Sequence, residues 1–461
     1  MEYAEFLERK TQLGGNHGFD PVWMPDFLFE FQKSLVEWSI LKGRSALVED
    51  CGLGKSIQEL VFAQNVVQKT NKNVLLVAPL AVSHQFTREG EKFGVEVFRS
   101  DDGKPKGKIT VTNYERLKLF DPKDYVAFIG DEGGILKHFK SATKGLVIEF
   151  IRKMPFRLFG SATFSPNDYI ELGNTSEALG EMGFLDMLEE FFKNTQNMSS
   201  FSRGHFLGHG GELPKWIFKP AGQRMFWKWV CSWARALRKP SDLGFEDNGF
   251  ILPALIEKQH IIDKPYIKPG ELFPSVAIGL GEQREEMRRT VNERCELTAE
   301  LMQGKKHSIS WCHLDAEHDR LEKILGKQAF SVRGGLDDEE KERRLMGFID
   351  GERPFLITKP RVAGFGLNLQ FCNHMVYFVG HSFEQYYQGV RRCWRFGQEN
   401  EVTVEIVTTP GCMSVLLNLQ RKERQSETLF RELIANINEA ANIKIDPYEN
   451  AQIKTPSWMV N

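Results

Sequence analysis

Residues 49–56 read EDCGLGKS, between the apolar run ALVE (46–49) and the segment SIQELVFAQNVVQ (56–68). In that segment positions 57, 60, 61, 66 and 67 are apolar, which predicts a helix buried along one face. The order is therefore strand, glycine-rich turn, helix. Such a corner aims backbone N–H groups and a helix N-terminus at an anion. Against the phosphate-loop pattern G-x-x-x-x-G-K-[ST], Gly54, Lys55 and Ser56 match, while Glu49 stands in place of the first glycine. Gly52 and Gly54 permit the tight turn, Lys55 can reach β- and γ-phosphates, and the Ser56 hydroxyl can ligate Mg²⁺. Taken alone, the loop fits a nucleotide cradle and a plain strand–turn–helix corner equally well.

The chain has 461 residues, enough for two or three domains. Its 41% hydrophobic and 26% charged residues are ordinary for a globular protein. A net charge of −2 excludes a wholesale basic coat, so any nucleic-acid surface must be a local patch. The seven cysteines form no C-x-x-C pair, as expected of free thiols in a reducing cytosol. The N-terminus MEYAEFLERK lacks the apolar core of a secretory signal, and no apolar run reaches the ~18 residues of a membrane span. The expected location is cytoplasmic.

Short β-rich runs recur in two sets. The first is ALVE (46–49), VLLVA (74–78), ITVT (109–112), YVAFIG (125–130) and FRLFG (156–160). The second is SISWC (308–312), FLIT (355–358), MVYFV (375–379) and VTVEIV (402–407). Apolar strands alternating with helices indicate parallel α/β domains, here two in tandem. The expected division is an N-terminal α/β domain (1–180), an aromatic and basic insertion (181–282), a C-terminal α/β domain (283–442) and a loosely packed tail (443–461). A helix is expected around 222–238 and another over 284–303. The insertion holds Trp216, Trp227, Trp229 and Trp233 among basic residues. Such interleaving can track a nucleic-acid backbone, but burial in a small helical core is the favoured explanation. His205, His209 and Cys231 lack a fourth ligand at zinc spacing.

Three further motifs follow the loop in order. Gly130-Asp131-Glu132-Gly133-Gly134 ends the strand YVAFI, so Asp131 suits a metal and Glu132 an attacking water. Gly160-Ser161-Ala162-Thr163 ends the strand FRLF. In QGVRRCWRFGQ (388–398), Arg392 and Arg395 lie three apart and would share one helix face.

This ordered set resembles the superfamily-two helicase motors, most closely their Swi/Snf-related branch. That branch carries an acidic residue where Glu49 stands and a G-L-G-K-[ST] loop like Gly52 to Ser56. The likeness continues through LLVAPLAVSHQFTREGEKFG (75–94), VTNYERL (111–117), SATFSPNDYIELG (161–173), ITKPRVAGFGLNL (357–369) and QYYQGVRRCWRFGQ (385–398). The last run is similar to compact Swi/Snf-like helicases carried by bacteriophages. The resemblance implies two RecA-like domains in tandem and an ATPase that uses ATP and Mg²⁺ to move along DNA. It implies adenine recognition by Gln32, phosphate and metal contacts by Lys55 and Ser56, and metal and water roles for Asp131 and Glu132. Ser161 and Thr163 would couple nucleotide to track. Arg392 and Arg395 would be arginine fingers in the motif that Gln388 opens. Pro79, Thr112, Thr358 and Gly366 would line a nucleic-acid backbone, duplex DNA being the preferred partner. D-E-G-G replaces the usual D-E-A-H or D-E-A-D, and the absent histidine ordinarily bridges hydrolysis to coupling. The rivals are an ATP-gated clamp with weak turnover and an RNA-dependent ATPase; a small-molecule kinase ranks far behind, because it leaves the paired arginines unexplained.

Overall fold

The structure, a computed structural model, describes residues 15–137, 142–162, 169–195, 215–219, 222–264, 279–360, 362, 369–380 and 382–442. Thr163, Gly366, His205, His209 and the tail from 443 lie outside the described residues.

The chain builds two parallel α/β lobes in tandem, as expected. The first sheet contains β1 (Arg44–Glu49), β2 (Asn73–Ala78), β3 (Val97–Arg99), β4 (Ile109–Asn113), β5 (Tyr125–Asp131) and β6 (Phe156–Ser161). A small antiparallel pair, β7 (Phe192–Asn194) and β8 (Trp216–Phe218), stands apart. The last strand of the first sheet is β9 (Ala234–Leu237), and the order is β3-β4-β2-β5-β6-β1-β9. The second sheet holds β10 (Leu255–Ile261), β11 (Ser308–Trp311), β12 (Ala329–Ser331), β13 (Phe355–Thr358), β14 (His374–Phe378) and β15 (Val402–Thr408), in the order β10-β15-β14-β11-β13-β12. Central strands such as β2, β4 and β14 are buried on both faces, which is why they read as unbroken apolar runs.

Within the described part of the 181–282 stretch, one strand joins the first sheet and another the second. Helix Gly222–Trp233 leads directly into β9, which pairs with β1 in the register Ala46↔Ala234. The helix ends five residues before its expected end at 238, because ARAL becomes an edge strand. Strand β10 crosses to the second sheet and pairs with β15. Trp227, Trp229 and Trp233 are fully buried in the first-lobe core, so these indoles are packing residues and not bases' stacking partners. The expected helix over 284–303 is two helices, Leu280–Arg289 and Val291–Met302, broken at Thr290.

The helices that frame the site are labelled α1 (Glu30–Lys42), α2 (Lys55–Thr70), α3 (Leu80–Phe93), α4 (Gly222–Trp233), α5 (Phe383–Cys393) and α6 (Met413–Asn442). Helix α6 belongs to both lobes. Its Val415, Leu416 and Leu419 join the second-lobe core, and its Phe430 and Leu433 join the core beneath α4 and β9. At Asp338–Ile349, Glu340 binds both Arg343 (2.7 Å) and Arg344 (2.6 Å) on an outward face. These solvent-reached pairs contribute little to stability.

Candidate active site

The carboxyl ends of parallel strands form the crevice where ligands bind in such sheets. Six of the sequence-singled positions stand at these ends. The loop after β1 carries Lys55, Asp131 ends β5, and Ser161 ends β6. Pro79 follows β2 as the N-cap of α3, Thr112 lies near the end of β4, and Thr358 ends β13 in the other lobe. Thr358 Oγ1 donates to the Val332 carbonyl at 3.1 Å, so in this state it buttresses its own sheet. The Thr112 hydroxyl is buried without a partner.

The loop itself is held open by glycine. Gly52 has φ 95°, in the left-handed region, and a Cβ there would meet the Phe396 backbone nitrogen at 2.8 Å. The second lobe therefore approaches the loop backbone directly. Gln32 on α1 accepts from Phe29 N (3.0 Å) and donates to the Leu53 carbonyl (2.8 Å), so it ties α1 to the loop. Lys55 Nζ donates to the Glu49 (2.6 Å) and Asp50 (3.2 Å) carbonyls.

Around Lys55 the first lobe gathers Glu49, Glu59, Asp131 and Glu132. Burial, then Glu132, raises the Asp131 carboxyl. Burial also pushes Glu49 up to about 7, against Lys55 and the Gln58 amide. Burial alone would lower the Lys55 ammonium, but Cys51 and the surrounding carboxylates raise it. Glu132 is one of two non-glycine residues with positive φ (53°) among the described residues, a conformation that costs of order 1–3 kcal/mol. Ser161 Oγ donates to Glu132 Oε2 at 3.1 Å. That contact joins the Glu132 carboxylate to the end of β6 without the histidine that D-E-G-G lacks.

Across the crevice, α5 and its C-terminal extension present Gln388, Arg391, Arg392 and Arg395. A cavity of about 310 Å³ is lined from one lobe by Gly54, Lys55, Ser56, Asp131 and Glu132 and from the other by these four residues. Burial, then the neighbouring guanidinium, lowers Arg392; burial also lowers Arg395. Like charges thus face each other within the pair, and carboxylates face it across the gap.

Sequence reasoning missed several contributors. Glu89, Gln85 and Lys92 on α3 also line the cavity. Asp50, in the loop, pairs with Arg391 at 2.5 Å and accepts from the Tyr387 hydroxyl. Nothing in the linear sequence joins positions 341 residues apart, and of three clustered arginines only spacing had singled out two.

The residues fit a magnesium nucleotide. Left-handed glycines at 52 and 54, the N-terminus of the 16-residue α2, Lys55 and the Ser56 hydroxyl suit phosphate, and Asp131 with the unpartnered oxygens of Glu59 and Glu49 leaves a negative face suited to a cation. Among the described residues no cluster of three or more His, Cys, Asp or Glu forms a self-contained metal site.

Residues 293–397 match the family described as helicase conserved C-terminal domain. A curated relative is YwqA of Bacillus subtilis (strain 168), named as an ATP-dependent helicase/translocase. It is 25% identical over 206 residues, which span 42% of this chain and 21% of that protein. The second lobe is thus similar to helicase C-terminal domains. Among solved structures, the Sulfolobus solfataricus SWI2/SNF2 ATPase core in complex with dsDNA aligns over 92% of this chain and 97% of its own. That alignment has TM-score 0.41 and 16% identity. The chain thus spans about a fifth of the curated relative's length. No described helix is long and apolar enough to cross a membrane.

Proposed function

We propose that this protein is a DNA-stimulated ATPase that translocates along duplex DNA by opening and closing the cleft between its lobes. The observation that carries this reading is the single cavity shared by Lys55, Asp131 and Glu132 from one lobe and Arg392 and Arg395 from the other. Neither lobe alone holds both halves of a phosphoryl-transfer site.

In this reading Lys55 leaves the loop carbonyls for phosphate, and Ser56 with Asp131 holds the metal. Bound Mg²⁺ supplies charge neutralisation and orients the phosphates. Glu132 orients the attacking water and takes its proton. Arg392 and Arg395 stabilise the charge that develops during transfer. Ser161 transmits the state of Glu132 to the strand ends, where Pro79, Thr112 and Thr358 line the track. Gln32 sets adenine preference through the loop it braces. The curated relative's name is consistent with translocase activity.

The test is ATP turnover with duplex DNA, single strands and RNA at several salt concentrations, because phosphate contacts weaken with salt. Duplex DNA is expected to raise turnover about tenfold or more. Stimulation by RNA alone would redirect the reading to an RNA-dependent ATPase. ATP-dependent retention on DNA with turnover that stays slow would make the protein a clamp.

A further inference from the structure

The segment 391–396 carries both proposed arginine fingers, yet it is docked on the first lobe at each end. At its start, the Arg391 guanidinium pairs with Asp50 Oδ2 at 2.5 Å. It also lies 4.2 Å from the Trp394 ring centroid and 5.3 Å from that of Tyr387. The Tyr387 hydroxyl donates to Asp50 Oδ1, which also accepts from Cys51 N. Trp394 Nε1 donates to the Pro253 carbonyl at 2.7 Å, fixing the ring that packs on Arg391. Arg391 is 12% exposed and Asp50 8%, so the pair is shielded from water and salt. At the segment's far end, Phe396 stacks on Phe250 at 4.6 Å, and Phe250 belongs to the first-lobe core. The Phe396 backbone rests against Gly52.

We propose that Asp50, Tyr387 and Arg391 at one end, and Phe250 with Phe396 at the other, form a bracket that docks this segment on the phosphate loop and positions Arg392 and Arg395 before nucleotide arrives. Arg391 is a positioning residue: its charge is consumed by Asp50, leaving Arg392 and Arg395 for the cavity. The two anchors differ in chemistry, one a buried ion pair and one an aromatic stack. Removing one partner of a buried pair strands the other charge, so the ionic anchor dominates. Without the bracket the lobes sample open states, and nucleotide binding must supply the closure.

This inference rests on the ATPase reading for its purpose, so the experiment reads the bracket separately from turnover. Fluorophores at exposed Lys72 and Glu352, one in each lobe, report inter-lobe distance by energy transfer in full-length protein without nucleotide. Wild type is expected to give one high-transfer population. Arg391→Ala should add a low-transfer population, and the milder Tyr387→Phe and Phe396→Ala should add smaller ones. Arg391→Lys keeps the charge and should recover most of the compact population. In ATPase assays with DNA, Arg391→Ala should raise KM for ATP about tenfold, more than it lowers kcat. A merely structural role would lower kcat without changing the distance distribution. If Arg391→Ala and Phe396→Ala, both folded by circular dichroism, keep the wild-type distance distribution, the bracket is wrong whatever their turnover. If distances shift as expected but the wild type hydrolyses no ATP, the bracket stands and the ATPase reading falls.

Discussion

The two faces of the interlobe cleft are built on opposite terms. On the first-lobe face, both carboxylate oxygens of Glu59 and one of Glu49 are buried without a hydrogen-bond partner. Glu132 holds a left-handed backbone, and Asp131 is pressed toward its neutral form. A Cβ at Gly160 would meet Glu59 Oε1 at 2.1 Å, so the β6 strand makes room for a carboxyl that finds no partner there. On the second-lobe face, Arg391 has a carboxylate, a tyrosine and a tryptophan around it, and its guanidinium is held charged despite burial. Buried polar groups are ordinarily satisfied, and exceptions concentrate where chemistry occurs. On the proposed reading the difference separates function by region: the unsatisfied face would take a cation and phosphates, and the satisfied one would hold the lobes in register.

That contrast can be broken at graded cost. The largest effects belong on the unsatisfied face. Lys55→Ala should abolish measurable turnover, and Glu132→Gln should lower kcat about 10²–10⁴-fold while nucleotide stays bound. Filter retention of labelled ATP beside a phosphate-release assay distinguishes the two outcomes. Near-normal turnover in Glu132→Gln would remove the water-directing role.

A smaller effect is expected at the joint between chemistry and track. Ser161→Ala should keep DNA-independent turnover but reduce stimulation by DNA about fivefold to tenfold, the Ser161–Glu132 contact being the proposed bridge. Titration of ATPase rate against duplex DNA measures it. Unchanged stimulation would mean that coupling runs elsewhere.

How much of this was legible in the residues follows burial. Strands β1, β2, β4, β5 and β6 stood out because both faces are covered and the runs are apolar. Strand β10 reads LIEKQHI and is mostly exposed at a sheet edge, so it carries no apolar signal. Strand β9 has four residues directly after a helix, too few to display a period. The cavity-lining residues Lys55, Ser56, Asp131 and Glu132 could be singled out because a phosphate-loop pattern fixes residue types at short spacing. Asp50–Arg391 was not, because an ion pair leaves no trace in the spacing of either partner. Thr290, which ends one helix and begins the next, carries neither a proline nor a glycine to announce the break.

The smallest effect tests the satisfied side. Behind the Asp50–Arg391 pair lies a second cavity of about 680 Å³, bordered by α6 and by Glu257, Glu423 and Glu427. Burial, then Glu257 and Glu427, push Glu423 up to about 7, against the Arg391 charge. The folded value is raised, so the neutral acid is favoured when folded, and stability falls as pH rises from about 4.5 through 7. Glu423→Gln should therefore stabilise at pH 8 by no more than about 1 kcal/mol, after discounting for solvent screening, and leave stability at pH 4 unchanged. Thermal melts across pH 4–8 read the difference; equal shifts at both ends would contradict it.

The central claim is that groups from both lobes act on one triphosphate. Single-turnover hydrolysis by Arg395→Ala, at saturating DNA and with nucleotide binding measured in parallel, tests it most directly. The account predicts that ATP still binds while the hydrolysis step slows about 10³-fold. Hydrolysis at the wild-type rate would contradict it.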